Sequence, residues 1–190
     1  MIIVVSIKNL KVFMSEAFER DVSKNTEFRK KYFYVMEEET DAAYLDQDEL
    51  KKISQLDLSN KPNLEIVRDN FILDCYIGLR IADYKNLKQN HIVEVGDTRM
   101  IKIMMGKTGK YVVIPLNKTS IDLLEKYDFS LKHYSDQYMN KMIKVIGKMA
   151  GIDEPFTKNI TLGGKVVEQV FKKYEKITNH TARRSFATNL

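Results

Sequence analysis

The hydrophobic period of this chain changes twice, and those two changes restrict the folds open to it. Up to Gly78 the apolar residues recur mostly at helical spacing. Over 91–95 (HIVEV), 99–105 (RMIKIMM) and 110–116 (KYVVIPL) they form three short β-rich runs, and after Pro115 the helical spacing returns. Gly96-Asp97 and Gly106-Lys107-Thr108-Gly109 separate the three runs as turns. This pattern predicts a three-stranded antiparallel meander inserted between helices. The expected class is mostly α with a small three-stranded antiparallel β-sheet (α+β).

Local signals place the helices. In residues 2–19 the later part has helical spacing. Residues 20–43 are strongly charged, include Glu37-Glu38-Glu39, and read as a linker with a solvated acidic run. Asp46 and Glu49 stand three apart, with Leu45 before and Leu50 after, which is a capping box with a hydrophobic staple opening a helix to about Leu56. Asn60-Lys61-Pro62 breaks the chain. Pro62 suits a first helical turn. The helix it opens carries Leu64, Val67, Phe71, Ile72 and Cys75 on one face, and Gly78 suits its end. Further helices are expected at about 118–127 and 135–150. Residues 156–178 are ambiguous, with Gly163-Gly164 as a turn. A last helix should start near Asn179 and carry His180 and Arg183.

Composition narrows the function. The chain has 190 residues, 44% hydrophobic and 30% charged, which suits one globular domain with room for a fragment of another. No apolar run approaches the roughly 20 residues of a membrane span, and the opening MIIVV lacks the flanks of a signal peptide. A cytoplasmic protein is expected. Cys75 alone cannot form an internal disulfide or a cysteine zinc site, and His91, His133 and His180 do not make a histidine metal cluster. No metal and no cofactor are expected. The net charge is +5, unevenly placed: residues 101–190 carry 16 Lys or Arg against 8 Asp or Glu, a local +8. Residues 36–60 carry 8 acids against 2 lysines, a local −6. A basic C-terminal half is the footprint of a nucleic-acid binder.

Each candidate residue has an ordinary reading. Arg80 could be a helix-end arginine paired with Asp83, and Lys107 a solvated lysine at a hairpin tip. His180 and Arg183 share a helix face at i and i+3, a spacing that arises often by chance. Their order along the chain is what gives them meaning. Gly78-Leu79-Arg80 is followed by Asp83 and Leu87. Gly106-Lys107-Thr108 leads into Val112-Val113-Ile114-Pro115-Leu116. Last comes His180-Thr181-Ala182-Arg183-Arg184-Ser185-Phe186-Ala187-Thr188-Asn189. This series resembles the tyrosine recombinase, or phage integrase, family, most of all the integrases of bacterial mobile elements. Tyr44-Leu45, Glu49-Leu50 and Arg68-Asp69 also look like the start of that family's catalytic domain. By this resemblance residues 1–35 are the tail of the preceding DNA-clamping helical domain, and 36–190 are the catalytic domain.

The resemblance implies DNA strand cleavage and rejoining by two transesterifications through a 3′-phosphotyrosyl intermediate. Arg80 and Arg183 would grip the phosphate oxygens, since a planar guanidinium binds them bidentately and stays charged. Lys107 would protonate the leaving oxygen. His180 would take the tyrosine proton or hold a phosphate oxygen, and Asp83 would orient Arg80. Arg184 would be structural or touch the DNA backbone. Partners implied are double-stranded DNA, further copies of the chain in a tetramer, and accessory DNA-bending proteins, with no membrane. Ile77 and Ala82 depart from the family's usual residues at positions that carry no chemistry. The larger departure is that the family's further His or Trp and its nucleophilic tyrosine follow the H-x-x-R helix, whereas all ten tyrosines here precede it. A truncated catalytic domain that forms no covalent DNA adduct by itself is therefore expected, with Tyr174 the least implausible substitute nucleophile. The rival readings are a catalytically inert DNA-binding fragment and a type IB topoisomerase-like relaxing enzyme. Metal-assisted phosphate chemistry would need clustered carboxylates, and the acids are densest over 36–60, away from these residues.

Overall fold

The computed structural model describes residues 2–31, 33, 42–162 and 165–189. Two compact units divide at residue 40. In the first, helix α1 (Ile2–Glu19) is followed by a 3-10 turn at Glu27–Arg29, and the Arg29 guanidinium stacks 4.2 Å over the Phe18 ring. The acidic run Glu37-Glu38-Glu39 lies outside the described residues.

The second unit begins where the capping box was expected. Asp46 accepts from the Glu49 amide at 2.8 Å, and Glu49 accepts from the Asp46 amide at 2.9 Å, opening α2 (Gln47–Ser54). Pro62 stands in the first turn of α3 (Pro62–Ile77), and Gly78 ends it in the left-handed region, φ +60°. A short α4 (Ile81–Tyr84) follows at once. Then come β1 (Ile92–Val95), β2 (Thr98–Met104) and β3 (Tyr111–Pro115), an antiparallel meander in the order β1-β2-β3. Its register pairs Ile101 with both Ile92 and Ile114. Helices α5 (Lys118–Lys126) and α6 (Asp136–Met149) are capped by Asn117 and Ser135.

The ambiguous segment 156–178 is a second sheet, an addition to the single sheet expected. Strands β4 (Pro155–Leu162) and β5 (Lys165–Lys172) form an antiparallel hairpin, followed by α7 (Lys173–Lys176) and α8 (Asn179–Thr188). The hairpin's lysines and one-sided cover blur the alternation that marks a strand. Among the described residues no helix is long and apolar enough to cross a membrane.

Helix α3 organises this unit, and it is apolar on more than the one face the spacing suggested. Phe71, Ile72 and Cys75 join α2, α6 and Ala182 of α8 in one core. Leu73 and Ile77 join the inner face of the meander, Ile101, Ile103 and Ile114, in a second. A helix buried on both sides behaves as a spine rather than a surface helix. Full burial of one Phe or Ile contributes about 1.5–3 kcal/mol.

One charged knot fastens α3 to α5. The Asp69 carboxylate accepts from Arg68 Nε, Lys126 Nζ and Tyr127 Oη, each at 2.7 Å. Its side chain is only 3% exposed. Burial raises its pKa, but the hydrogen bonds from Arg68, Lys126 and Tyr127 outweigh burial and hold the carboxyl below the usual range. A depressed folded-state pKa contributes stability above the unfolded value, lost as pH falls through the folded one. We expect Asp69→Asn to cost about 3 kcal/mol at pH 7, by leaving buried donors unpaired. That difference should shrink below about pH 4, the unfolded carboxyl's range. Urea denaturation of both proteins across pH 3–7 measures it; a pH-independent difference would dismiss the ion pairing.

Candidate functional site

The left-handed Gly78 turn reverses the chain at the end of α3. Its N–H donates to the Asp74 carbonyl at 2.8 Å. Leu79 is buried, and Arg80 takes an extended backbone at the start of α4, half-buried. Arg80 is therefore not a helix-end residue of α3; it opens the next helix. Tyr84 Oη anchors α4 by donating to Asn70 Oδ1 at 2.9 Å.

Asp83 does not pair with Arg80 among the described residues. Its Oδ1 accepts from the Gly106 amide at 2.8 Å, and so ties α4 to the β2–β3 turn. The approach is close: a Cβ at 106 would lie 3.3 Å from Asp83 Oδ1, and glycine leaves that space open. Within the turn Gly109 adopts φ +64° and donates to the Met105 carbonyl at 2.8 Å. Lys107 stands in this turn, exposed.

Helix α8 is fixed from several sides. Ser185 Oγ accepts from the Leu45 amide at 2.8 Å and donates to the Thr181 carbonyl. Asn189 Nδ2 donates to the Leu45 carbonyl at 2.8 Å. The Asn179 amide donates to Asn140 Oδ1 on α6 at 2.8 Å. So held, α8 lies along α3, and Arg183 donates from a guanidinium nitrogen to the Gly78 carbonyl. His180 is one turn earlier on the same helix, exposed. Arg184, also exposed, makes no side-chain hydrogen bond or ion pair among the described residues.

Two long-range hydrogen bonds thus draw three motifs together. Arg183 is tied to the turn that leads into Arg80, and Asp83 is tied to the residue before Lys107. The side chains of Arg80, Lys107 and His180 have no hydrogen-bond or ion-pair partner among the described residues. None of these cationic side chains forms an ion pair with a carboxylate among the described residues, and donors left in that state suit an anion with several oxygens.

One neighbour carries no obvious sequence signal. Asp74 is 5% exposed, and its Oδ1 is buried without a hydrogen-bond partner among the described residues. Burial pushes its carboxyl up to about 8, against the opposing pull of Arg183 and the Leu79 amide. Its position one turn before Gly78 on a core helix was the only hint. Tyr174 is packed against Gly147 of α6, where a Cβ on the glycine would meet Tyr174 Cβ at 3.1 Å.

No protein-family model matches the chain. Solved structures do. The chain is similar to XerH site-specific recombinase bound to difH substrate in a pre-cleavage complex, at 20% identity and TM-score 0.55, over 95% of this chain and 52% of that one. It is similar to a lambda integrase dimer bound to a COC′ core site, at 18% identity and TM-score 0.62, over 96% of this chain and 63% of that one. A lambda integrase tetramer bound to a Holliday junction matches at 18% identity and TM-score 0.62, over 96% and 52%. The chain therefore has the fold of the tyrosine recombinase catalytic domain, and it spans about half to two thirds of the length of the solved structures it matches.

Proposed function

We propose that the chain is the catalytic portion of a tyrosine recombinase, acting on a phosphodiester of double-stranded DNA. Residues 1–35 belong to the preceding DNA-clamping domain and 36–190 to the catalytic domain in this reading. The observation that carries it is the pair of hydrogen bonds, Arg183 to Gly78 across 105 residues and Gly106 to Asp83 across 23, that ties the three motifs together. Each motif contributes a cationic or proton-carrying group suited to one phosphate.

In the reaction a tyrosine hydroxyl attacks phosphorus, giving a 3′-phosphotyrosyl bond and a free 5′-hydroxyl. Arg80 and Arg183 stabilise charge on the phosphoryl oxygens. His180 accepts the tyrosine proton, and Lys107 gives a proton to the leaving 5′ oxygen. The reverse attack by another strand's hydroxyl restores the phosphodiester, so the bond energy is conserved and no nucleotide cofactor is consumed. Asp83 serves by holding the Lys107 turn through Gly106. Tyr174 has no catalytic role, being committed to packing against α6. The matched recombinase tetramer on a junction supports assembly of further copies on DNA.

The first test is duplex DNA binding at several salt concentrations. If about five phosphates are neutralised, affinity should fall roughly 500-fold between 50 and 200 mM salt. Arg80→Ala and Arg183→Ala should leave this binding largely intact, while abolishing the covalent adduct in any form of the protein that carries the nucleophile. An affinity indifferent to salt would overturn the reading.

A further inference from the structure

A second cationic cluster lies outside the site described above. Three lysines stand on three elements that pack around α7: Lys144 on α6, Lys158 on β4 and Lys176 on α7 itself. All three are half-buried.

Their convergence follows from packing. Asn140, Lys144 and Gly147 lie on one stripe of α6, at i, i+4 and i+7. Asn140 accepts from the Asn179 amide, and Gly147 receives Tyr174 and Ile177, whose Cδ1 would lie 3.0 Å from a Cβ there. Lys144 is therefore turned toward the segment 174–179 that holds Lys176. On the hairpin, Phe156 pairs with Phe171 and Lys158 with Gln169, so the period of two puts all four on one face. The Lys176 ammonium sits over the Phe171 ring of that face, 3.1 Å from its centroid.

The neighbouring charges do not answer the cluster. Lys173 is spent on a buried pair with Glu49 at 2.6 Å. Glu175 is turned to the Lys172 amide, which donates to its Oε2 at 3.0 Å, and is the one carboxylate that bears on Lys176. None of the three lysines has an ion pair among the described residues. Burial first, then Lys158 and Lys144, hold the Lys176 ammonium below the usual lysine range. Like charges gathered from three elements are unfavourable unless an anion joins them. The ring face of Phe171 offsets only part of this.

We propose that Lys144, Lys158 and Lys176 form a second phosphate-binding site, which holds a backbone phosphate of duplex DNA away from the reacting one. The assignment of DNA as the source rests on the function proposed above; the anion site itself does not. Lysines are compact point charges without the bidentate fork of arginine, so they suit positioning on a backbone rather than reading of bases.

The test compares the parent chain with K144Q/K158Q/K176Q. Binding of a 20-base-pair duplex, followed by fluorescence anisotropy at 50–200 mM KCl, gives the salt slope. Loss of three phosphate contacts should flatten that slope by about 2.7, so that the fourfold salt change costs roughly 40-fold less affinity than in the parent. K144R/K158R/K176R should retain the parent slope. A second arm measures thermal unfolding in inorganic phosphate against chloride at equal ionic strength, where the parent should be stabilised by phosphate and the glutamine variant should not. An unchanged slope in the glutamine variant overturns the proposal. If the parent binds no DNA yet shows the phosphate shift, and the variant loses it, the anion site stands and the recombinase reading falls. Absence of both effects overturns the site. Should the triple variant fail to fold, K158Q and K176Q alone should each flatten the slope by about 0.9.

Discussion

Gly78→Ala is expected to destabilise the second unit by about 3 kcal/mol or more, summing a left-handed backbone strain of about 1–2 with an overpacking term of about 1–3. Two separate obstacles meet at this position. The backbone is left-handed, φ +60°, and a Cβ would fall 2.2 Å from Phe186 Cδ1 and 2.5 Å from Cγ. Neither ring nor helix can withdraw easily, because the residue before Phe186 bonds the Leu45 amide and Asn189 bonds its carbonyl. Relief must therefore come from the turn itself, which carries the carbonyl that holds Arg183 and leads into Arg80. The double variant Gly78→Ala with Phe186→Ala should recover the steric share less the packing lost with the ring, while the backbone share persists. Urea denaturation of the three proteins decides this. A single variant within 1 kcal/mol of the parent would mean that Phe186 does not cover the turn.

What the sequence made legible were features written in local rules. The Asp46–Glu49 capping box, Pro62 in a first turn and Gly78 as a helix end each involve residues within a few positions, so the chain's own chemistry declares them. The glycine-bounded meander was legible for the same reason. The hairpin β4–β5 was not. Thr157, Ile160, Val167, Val170 and Phe171 carried the β signal, but Lys158, Glu168 and Lys172 interrupt it. The site divides along the same line. Arg80, Lys107, His180 and Arg183 could be nominated from the order of their motifs, but their partners could not. Three-residue spacing suggested that Asp83 pairs with Arg80. In the fold Arg80 precedes α4 with an extended backbone, and the carboxylate goes instead to Gly106, 23 residues away. Arg183 reaches Gly78 across 105 residues. Bonds at such separations depend on how α3, α8 and the meander pack, and no local pattern encodes them.

Asp74 should make the chain less stable as pH rises from about 5 to 8, and Asp74→Asn should remove that decline. The sign follows from burial. An unfolded aspartate titrates near 3.9, whereas the folded carboxyl is pushed up to about 8. Between those values the folded chain binds a proton that the unfolded chain has released, so unfolding gains on folding with each step in pH. The stabilising effect of this proton is full below the unfolded value and lost as pH rises through the folded one. Nearby groups do not mask it: burial raises the Cys75 thiol and the Tyr84 hydroxyl well above their usual values, and Arg183 stays charged throughout. The unpartnered Oδ1 fits a protonated carboxyl. Asparagine keeps an oxygen for the Leu79 amide but cannot ionise, which separates titration from shape. Urea midpoints at pH 5.5, 7 and 9 should therefore show the variant gaining on the parent by a few kcal/mol across the range. Parallel pH profiles would show instead that Asp74 is ionised and paired in the folded chain. In that case its charge would be held by Arg183, and the guanidinium would not be free for a phosphate.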